Sequence, residues 1–375
     1  MHICYLSPGS VPLPPAPCTS VEIYAKEIAT ALSTRHPITL YAKSSQPSTR
    51  QTGKLTTRRL VTQGGLPYAR QVIRDLQGHT QHPDILHIEN RIAFVPVLRA
   101  AYPKTPLILN LHSNVLIAST PLQTVNKGLS KLDALVVNSH YLKRSLVRRY
   151  PALPLNKIHV IHPGLDVRRF PSRFSAQGQT LRKATRKRLG VPSDRRVLLF
   201  VGRFISRKGI TVLLDAFRIV RQKHRNTELW IIGGRPHGTS AFHEAVRAKS
   251  KALPVRFLGF IPQNRLPAYY CAADLFVCPS QAPEAFGLVN TEAAACGLPV
   301  IASKAWGIRE AVADGISGHL VQNYTSPVAF ATVINRLLDN PARLEVLGRT
   351  AHHWAVTNFS WERTAQKFET LYRKL

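Results

Sequence analysis

Two glutamates, Glu284 and Glu292, stand eight positions apart around a glycine-containing run in EAFGLVNTEAAACG, residues 284–297. They stand out because this chain of 375 residues has 20 acids against 51 lysines and arginines. A carboxylate can accept two hydrogen bonds from a vicinal diol such as a ribose or a hexose. The pair therefore indicates binding of hydroxyl groups, although a loop acid and a solvated helix acid would give the same spacing.

The local pattern places both acids near the carboxyl end of a strand. The run DLFVCPS predicts that strand, Glu284 falls on the loop after it, and a helix begins around Gly287 with Glu292 in its second turn. The backbone N–H groups of Phe286, Gly287 and Leu288 open this helix, and a helix N-terminus beside glycine suits phosphate. We predict that the backbone binds phosphate and that the acids bind sugar hydroxyls.

Cations follow a second buried strand, in VGRFISRKGI at residues 201–210. They are Arg203, Arg207 and Lys208. Two or three cations at the carboxyl end of a strand can clamp a diphosphate, and ordinary surface charge is the alternative. No two aspartates lie two positions apart, so a magnesium site built from carboxylates is not expected, and neither a metal nor a cofactor is predicted.

Short apolar runs alternate with amphipathic helices in two series along the chain. This alternation predicts two doubly wound, Rossmann-like α/β domains with parallel sheets, facing across a cleft where the strands end. The segment 163–194 has Pro and Gly at both ends and no strand pattern, so it separates the series. We expect an N-terminal domain over residues 1–170 and a C-terminal domain over residues 171–356.

The composition narrows the class of protein. No stretch reaches the ~18 apolar residues of a membrane-spanning helix, and the N-terminus has no basic start of a secretory signal. Five scattered cysteines predict reduced thiols in a cytoplasmic protein, without a disulfide framework or a zinc site.

The net charge of +31 is the most unusual property of the chain. Residues 151–250 hold 21 lysines and arginines against 5 acids, an excess of 16. This balance favours an anionic partner, such as membrane lipid or an acidic substrate, or else describes a solvated basic surface. No helix-turn-helix, zinc or aromatic–basic signature is present, so nucleic acid is not an expected partner.

Many motifs, in the same order, resemble the retaining GT-B glycosyltransferases of family 4, of the group 1 type, over nearly the whole chain. The second half contributes GRFISRKGI, ELWIIGG, VRFLGFIP, YYCAADLFVCPS, EAFGLVNTEAAACGLPVIAS and GIREAVADGISGHLV, and the first half LNLH, VVNSHYLKRSL and VIHPGLDVRRF. HIENR and LPPAPCTSVEIY are similar to the spore-coat-associated branch. The resemblance implies that a C-terminal helix, residues 357–375, packs back on the N-terminal domain.

The resemblance also implies a role for each candidate residue. Glu284 and His112 match the catalytic residues that face the transferred sugar, and Glu292 matches the acid on the nucleotide ribose. A strand-end histidine held by hydrogen bonds is the plain alternative for His112. The residues that match the binding site of the donor diphosphate are Arg203, Lys208, Phe286, Gly287 and Leu288.

The chain departs from the family at its first loop. Thr19 and Ser20 stand where the family usually has two glycines close to the diphosphate. Side chains there block the closest backbone approach. Either their hydroxyls replace backbone contacts, or the donor binds differently in this part of the site.

The activity that the resemblance implies is metal-independent transfer of a hexose-type sugar from a nucleoside diphosphate, UDP being expected, to an acceptor hydroxyl with retention of configuration. The sequence does not name the acceptor; an anionic or lipid-linked one suits the charge, as does peripheral contact of a cytoplasmic enzyme with the inner face of the membrane. The alternatives are a non-catalytic protein that binds a nucleotide sugar or polyanion, and a GT-B nucleotide-sugar epimerase.

Overall fold

The chain divides into two units in the computed structural model. One unit contains residues 1–164 together with 361–375, and the other contains residues 165–360. The structure describes residues 1–14, 19–113, 119–151, 153–234 and 241–375. The return to the first unit occurs where Gly164 lies against the backbone of Trp361, so closely that an added Cβ would come within 2.8 Å of the Trp361 Cα.

The first unit is built on an eight-stranded sheet of order β3-β4-β2-β1-β5-β6-β7-β8. All described pairs are parallel except β3 with β4, a polar hairpin at the edge whose outer strand is fully exposed. The chain order reverses between β1 and β5. The strands are β1 Ile3–Leu6, β2 Ile38–Ser44, β3 Ser48–Thr52, β4 Leu55–Val61, β5 Ile85–Glu89, β6 Leu107–Leu111, β7 Ala134–Val137 and β8 Ile158–Val160.

Helices pack on this sheet because each presents an apolar stripe to the buried strands. The C-terminal helix belongs to this unit, and its Phe368 and Tyr372 join the same core cluster as β1 and the first helix. The described helices are α1 Ser20–Ser33, α2 Gly65–Gln77, α3 Val95–Ala101, α4 Leu122–Ser130, α5 His140–Arg149 and, at the C-terminus, α14 Trp361–Tyr372.

The second unit has a six-stranded, wholly parallel sheet of order β11-β10-β9-β12-β13-β14, so its chain order reverses between β9 and β12. The strands are β9 Arg196–Val201, β10 Thr227–Ile232, β11 Val255–Gly259, β12 Leu275–Cys278, β13 Val300–Ser303 and β14 Gly318–Val321. The helices are α6 Ala176–Arg188, α7 Ile210–Lys223, α8 Ala241–Ser250, α9 Leu266–Ala272, α10 Leu288–Ala295, α11 Ile308–Ala311, α12 Pro327–Leu338 and α13 Pro341–Asn358. The predicted pair of doubly wound α/β domains is confirmed.

Part of the basic segment is structural. Asp274 is completely buried, its Oδ1 lies 2.8 Å from Arg182 Nη2 and 3.3 Å from Arg173 Nη2, and its Oδ2 accepts from the Val197 N–H at 2.8 Å. Burial opposes ionisation, but the charges of Arg182 and Arg173 lower the pKa of Asp274 below its ordinary value. Arg186 donates to carbonyls at 2.6 Å on Pro192 and Arg195. These arginines are committed inside the unit, so the charge excess overstates what a partner would meet.

Within the described residues there is neither a membrane-spanning helix nor a disulfide bond. No described helix is long and apolar enough to cross a membrane. Four cysteines are described, Cys4, Cys271, Cys278 and Cys296, and all four are free and buried. The fifth, Cys18, lies outside the described residues.

Candidate functional site

Strands β9 and β12 lie side by side where the chain order of the second sheet reverses, and both point the same way. Ligands of open parallel sheets bind at such a reversal, outside the carboxyl ends of the strands. The chain leaves β9 through Arg203 and a 3-10 turn at Ser206–Lys208, and the two strand-end loops are joined by a 2.8 Å hydrogen bond from Gln281 N to Arg207 O. The sequence-predicted cations and Glu284 therefore share this edge.

Lys208 and Glu284 form an ion pair, and Ser280 Oγ donates to Glu284 Oε1 at 3.1 Å. About a fifth of each side chain in the ion pair is exposed, 17% and 20%, so both can still meet a ligand. Arg203 is exposed and forms no ion pair within the described part of the chain. Lys208 and Glu284 are therefore in direct contact, and Arg203 extends from the same strand end as Lys208.

Two helices start at this edge without a side-chain cap. Gly209 precedes α7 with φ +72°, and Gly287 precedes α10 with φ +90°. An added Cβ at Gly209 would lie 1.8 Å from Pro279 O, so only glycine fits between the loops. The N–H groups of an uncapped first turn bind anions well, and the positive end of the helix dipole adds to this.

Phe286 and Leu288 flank the glycine of the second helix start. Phe286 is 2% exposed and packs edge-to-face on Phe359, with 5.5 Å between the ring centroids. This aromatic anchor fixes the backbone immediately before α10. The residues predicted to offer backbone contacts are therefore held by packing, with Leu288 as the first residue of the helix.

Glu292 lies in the second turn of α10 and is 5% exposed. Its Oε2 accepts from Tyr270 OH at 2.9 Å and its Oε1 accepts from Gln263 Nε2 at 2.8 Å. Burial raises the pKa of Glu292, and these two hydrogen bonds oppose the rise. Each oxygen of a carboxylate can accept a second hydrogen bond, so the acid retains capacity for a diol.

His112, in the first unit, follows β6 and is held through its backbone and its Nε2, from which Asn110 Nδ2 lies 3.5 Å away. Its N–H donates to Asn90 Oδ1 at 2.9 Å, its carbonyl accepts from Asn138 Nδ2 at 3.0 Å, and its Nε2 lies 2.5 Å from Glu89 Oε2. The ring packs edge-to-face on Tyr24, with centroids 4.4 Å apart. Hydrogen bonds hold this histidine in place, and 13% of its side chain is still exposed. A structural role is therefore compatible with the predicted contact with the transferred sugar.

Thr19 and Ser20 sit at the start of α1. Thr19 is the N-cap, and its hydroxyl oxygen accepts a hydrogen bond from the Val21 N–H at 3.3 Å. The Glu22 carboxylate in turn accepts from the Thr19 N–H at 3.2 Å, which completes a capping box. The threonine hydroxyl also bonds to the Glu22 carboxylate. The N-terminus of α1 is therefore capped by side chains of its own first turn, and Glu22 places a negative charge there. The starts of α7 and α10 have no such cap.

Two family models match the chain. The model described as Glycosyl transferases group 1 matches residues 182–354, and Glycosyltransferase Family 4 matches residues 21–169. The first match contains every predicted site residue of the second unit. The chain belongs to the group 1 glycosyltransferases. It is therefore an enzyme that transfers glycosyl groups.

Two curated relatives illustrate the range of the family. Spore coat protein SA of Bacillus subtilis is 26% identical and is covered over its full length by the whole of this chain. D-inositol 3-phosphate glycosyltransferase 2 of Catenulispora acidiphila is 38% identical over 64% of this chain and 56% of its own length. The predicted similarity to the spore-coat-associated branch agrees with the first of these.

Solved structures support the architecture of this glycosyltransferase. Anabaena HepE in complex with UDP has a TM-score of 0.79 and 21% identity, with 100% of each chain covered. The same Anabaena protein in complex with UDP-glucose gives a TM-score of 0.76 over 100% of each chain, again at 21% identity. At this identity the comparison concerns the fold, and it confirms the predicted GT-B class.

Three residues that contact the candidate residues within their own units were not predicted: Glu89 in the first unit, and Tyr270 and Gln263 in the second. Glu89 is the last residue of a strand that is buried throughout, and an acid in that position of an acid-poor chain was the available signal. Tyr270 and Gln263 reach Glu292 from α9 and the turn before it, over 22 and 29 residues of sequence. No spacing rule connects positions that far apart. No group of three or more metal-ligating side chains occurs among the described residues.

Gly287→Ala is expected to destabilise the second unit by more than the cost of a left-handed conformation for an L side chain, which is about 1–2 kcal/mol. The added Cβ would also come within 2.7 Å of Asn290 Nδ2, which now donates to Gly287 O at 3.0 Å. A urea unfolding titration measures the change. Gly190→Ala is the matched control, because it has φ +59° and no neighbour within 4 Å of the added Cβ. Equal losses in the two variants would contradict a packing role for the helix start.

Proposed function

We propose that this glycosyltransferase moves a hexose from a nucleoside-diphosphate donor, UDP-hexose first, to an acceptor hydroxyl with retention of anomeric configuration and without a metal ion. The observation that supports it most is the convergence at one sheet reversal of two uncapped helix N-termini with the Lys208–Glu284 ion pair. Such an edge offers positive potential to a diphosphate and hydroxyl acceptors to a sugar.

Different residues would bind the diphosphate, the ribose and the transferred sugar of the donor. Arg203, Lys208 and the backbone from Phe286 to Leu288 would bind the diphosphate, and Glu292 would bind the ribose. Glu284 and His112 would contact the transferred sugar. Thr19 and Ser20 would contribute little to phosphate binding, because the α1 N-terminus is already capped and has Glu22 in its first turn.

Retention would follow if the acceptor hydroxyl attacks on the face that the nucleotide leaves. The bond from the anomeric carbon to the diphosphate oxygen breaks, that oxygen takes the acceptor proton, and the new glycosidic bond forms on the same face. Negative charge grows on the diphosphate as the bond breaks. Hydrogen-bond donors and cations fixed around the diphosphate therefore lower the barrier to transfer more than they strengthen binding of the nucleotide sugar in the ground state.

Support for the donor comes from the Anabaena HepE structures, which contain UDP in one case and UDP-glucose in another. The likeness is one of fold, so UDP-glucose is the first substrate to try.

The test is a donor panel of UDP-, GDP- and ADP-hexoses, with release of nucleoside diphosphate as the readout and EDTA in a parallel series. Proton NMR of the product gives its anomeric configuration. The proposal expects one nucleotide to dominate, turnover unaffected by EDTA, and an unchanged anomer. An inverted product, or a free epimerised donor, would overturn it.

We further propose a cytoplasmic enzyme that makes peripheral contact with an anionic, lipid-bearing surface through α6. A cavity of about 480 Å³ beside α6 and α9 is lined by Arg168, Arg169, Arg188 and Arg265, and Arg188 lies 5.4 Å above the Tyr269 ring. Lys183 and Lys187 project from the same helix and are exposed. The helix and the cavity beside it therefore carry cations that the Asp274 cluster does not use.

The double variant Lys183→Ala, Lys187→Ala is expected to bind phosphatidylserine vesicles less tightly at low salt. The binding free energy should weaken by about 2 kcal/mol, because each cation near the surface contributes about 1 kcal/mol. Sedimentation of the protein with the vesicles measures the change. Lys104→Ala with Lys127→Ala, two exposed lysines of the first unit, is the control. Vesicle binding that does not depend on anionic lipid or salt, or that falls equally in both pairs, would remove this proposal.

A further inference from the structure

Glu89 is a fully buried acid for which the donor site described above has no use. Its Oε1 accepts from Tyr5 OH at 2.5 Å and from Asn110 Nδ2 at 3.3 Å, while its Oε2 faces His112 Nε2 at 2.5 Å. Burial opposes ionisation, but the charge and hydrogen bond of His112, with a smaller contribution from the nearby His87, lower the pKa of Glu89 to about 2. At neutral pH the group is therefore a carboxylate that can only accept hydrogen bonds.

His87 does not compete for the role of partner. It is fully buried, and burial lowers its pKa despite the neighbouring carboxylate. Its Nδ1 is occupied by Tyr372 OH of the C-terminal helix at 2.7 Å, and its Nε2 stands 3.5 Å from Glu89 without forming a hydrogen bond. His112 is therefore the histidine that Glu89 orients.

Because an ionised carboxylate cannot donate, the proton in the contact with Glu89 must sit on His112 Nε2. The backbone N–H and carbonyl of His112 are bonded to Asn90 and Asn138. Nδ1 is then the one polar atom of His112 that no contact within the described ranges occupies.

We propose that Glu89 is a positioning residue for His112: it fixes the proton on Nε2 and the angle of the ring, and leaves Nδ1 as the atom that meets the transferred sugar. The inference rests on the proposed contact of His112 with that sugar. It adds a residue, the state of the ring and the ring atom involved. The side chain of a buried second residue thus decides what the substrate meets.

Glu89→Gln preserves the shape and reverses this state. On the Oε1 side the group faces two donors, Tyr5 OH and Asn110 Nδ2, so the amide oxygen of glutamine belongs there. The amide N–H₂ then faces His112 Nε2, which must accept, and the proton moves to Nδ1. The sugar would meet the wrong tautomer.

The test combines nitrogen-15 NMR of the histidine rings with kinetics. In the wild type, the His112 signals, assigned by their loss in His112→Asn, should show Nε2 protonated; in Glu89→Gln they should show the proton on Nδ1. The kcat of Glu89→Gln should fall between about 10- and 100-fold, the effect of one hydrogen bond to a charged group, with the donor KM little changed. Adding Glu89→Gln to His112→Asn should cost nothing further.

Tyr372→Phe is the matched control, since it removes the contact with His87 in the same buried cluster and leaves that of Glu89 with His112. It should lower thermal stability without changing the His112 signals. The inference is overturned by a wild-type Nε2 that carries no proton, which needs no variant to fold, or by Glu89→Gln losing activity equally with and without His112. If His112→Asn keeps the wild-type rate while NMR shows the predicted tautomer, the role of His112 in the proposed function fails instead.

Discussion

Replacing Lys208 with alanine is expected to lower kcat for glycosyl transfer by a factor on the order of 100 to 1000, the usual effect of removing one donor aimed at developing charge. Lys208 lies at the reversal of the second sheet beside two uncapped helix starts, so its ammonium group can follow the charge that grows on the departing diphosphate. Its ion pair with Glu284 holds it at this edge. Steady-state kinetics with the best donor measures the change.

Arg207→Ala is the matched control for this prediction. Arg207 is in the same turn and exposed, and the turn is held through its carbonyl, which accepts from Gln281 N at 2.8 Å. Truncating the side chain should change kcat by no more than about twofold, as for an ordinary surface position. Equal losses in the two variants would mean that net charge at this edge matters and the placement of Lys208 does not.

Glu292→Ala is expected to raise the donor KM by a factor on the order of 100, because about 3 kcal/mol of hydrogen bonding to the ribose hydroxyls is lost. The effect should appear mainly in KM, since the ribose is bound alike before and during the reaction. The same substitution leaves Tyr270 OH buried without its acceptor at 2.9 Å, so the unliganded variant should also be less stable.

Tyr270→Phe separates these two effects. It removes a donor to the Glu292 carboxylate and leaves the carboxylate itself in place, so it should change stability while the donor KM stays within a few-fold of wild type. A KM that rises equally in Tyr270→Phe and Glu292→Ala would show that the packing of α9 against α10, rather than the carboxylate, limits nucleotide binding.

The strands were predictable because a parallel strand covered on both faces is written as a continuous apolar run, as in RVLLFV and LFVC. The edge hairpin β3–β4 was not, because its outer strand, STRQT, is polar and wholly exposed and so carries no apolar pattern. Strand ends are equally visible, which is why Lys208 and Glu284 could be placed at one edge from the sequence.

What the sequence could not provide were pairings over long separations. The role of Asp274 depends on Arg173 and Arg182, which lie 101 and 92 residues away, and without them the basic segment looked like free surface. Thr19 showed up as a departure from a glycine pattern, whereas its capping box with Glu22 is local and could have been read from the spacing. The sequence offered Glu89 as an acid at a strand end, but its contact with His112 depends on β5 and β6 lying side by side.

We expect a nucleoside diphosphate to bind in the second unit with its ribose on Glu292. Thermal-shift assays of the wild type, Glu292→Ala and Tyr270→Phe with UDP, GDP, ADP and a short RNA test it most directly. A ligand at 100 times its dissociation constant stabilises by about 2.7 kcal/mol, a readily measured shift. We expect one nucleotide, UDP first, to raise the midpoint of the wild type and of Tyr270→Phe, each against its own unliganded value, and to have no effect on Glu292→Ala. A shift with RNA alone, or one that survives in Glu292→Ala, would contradict the claim.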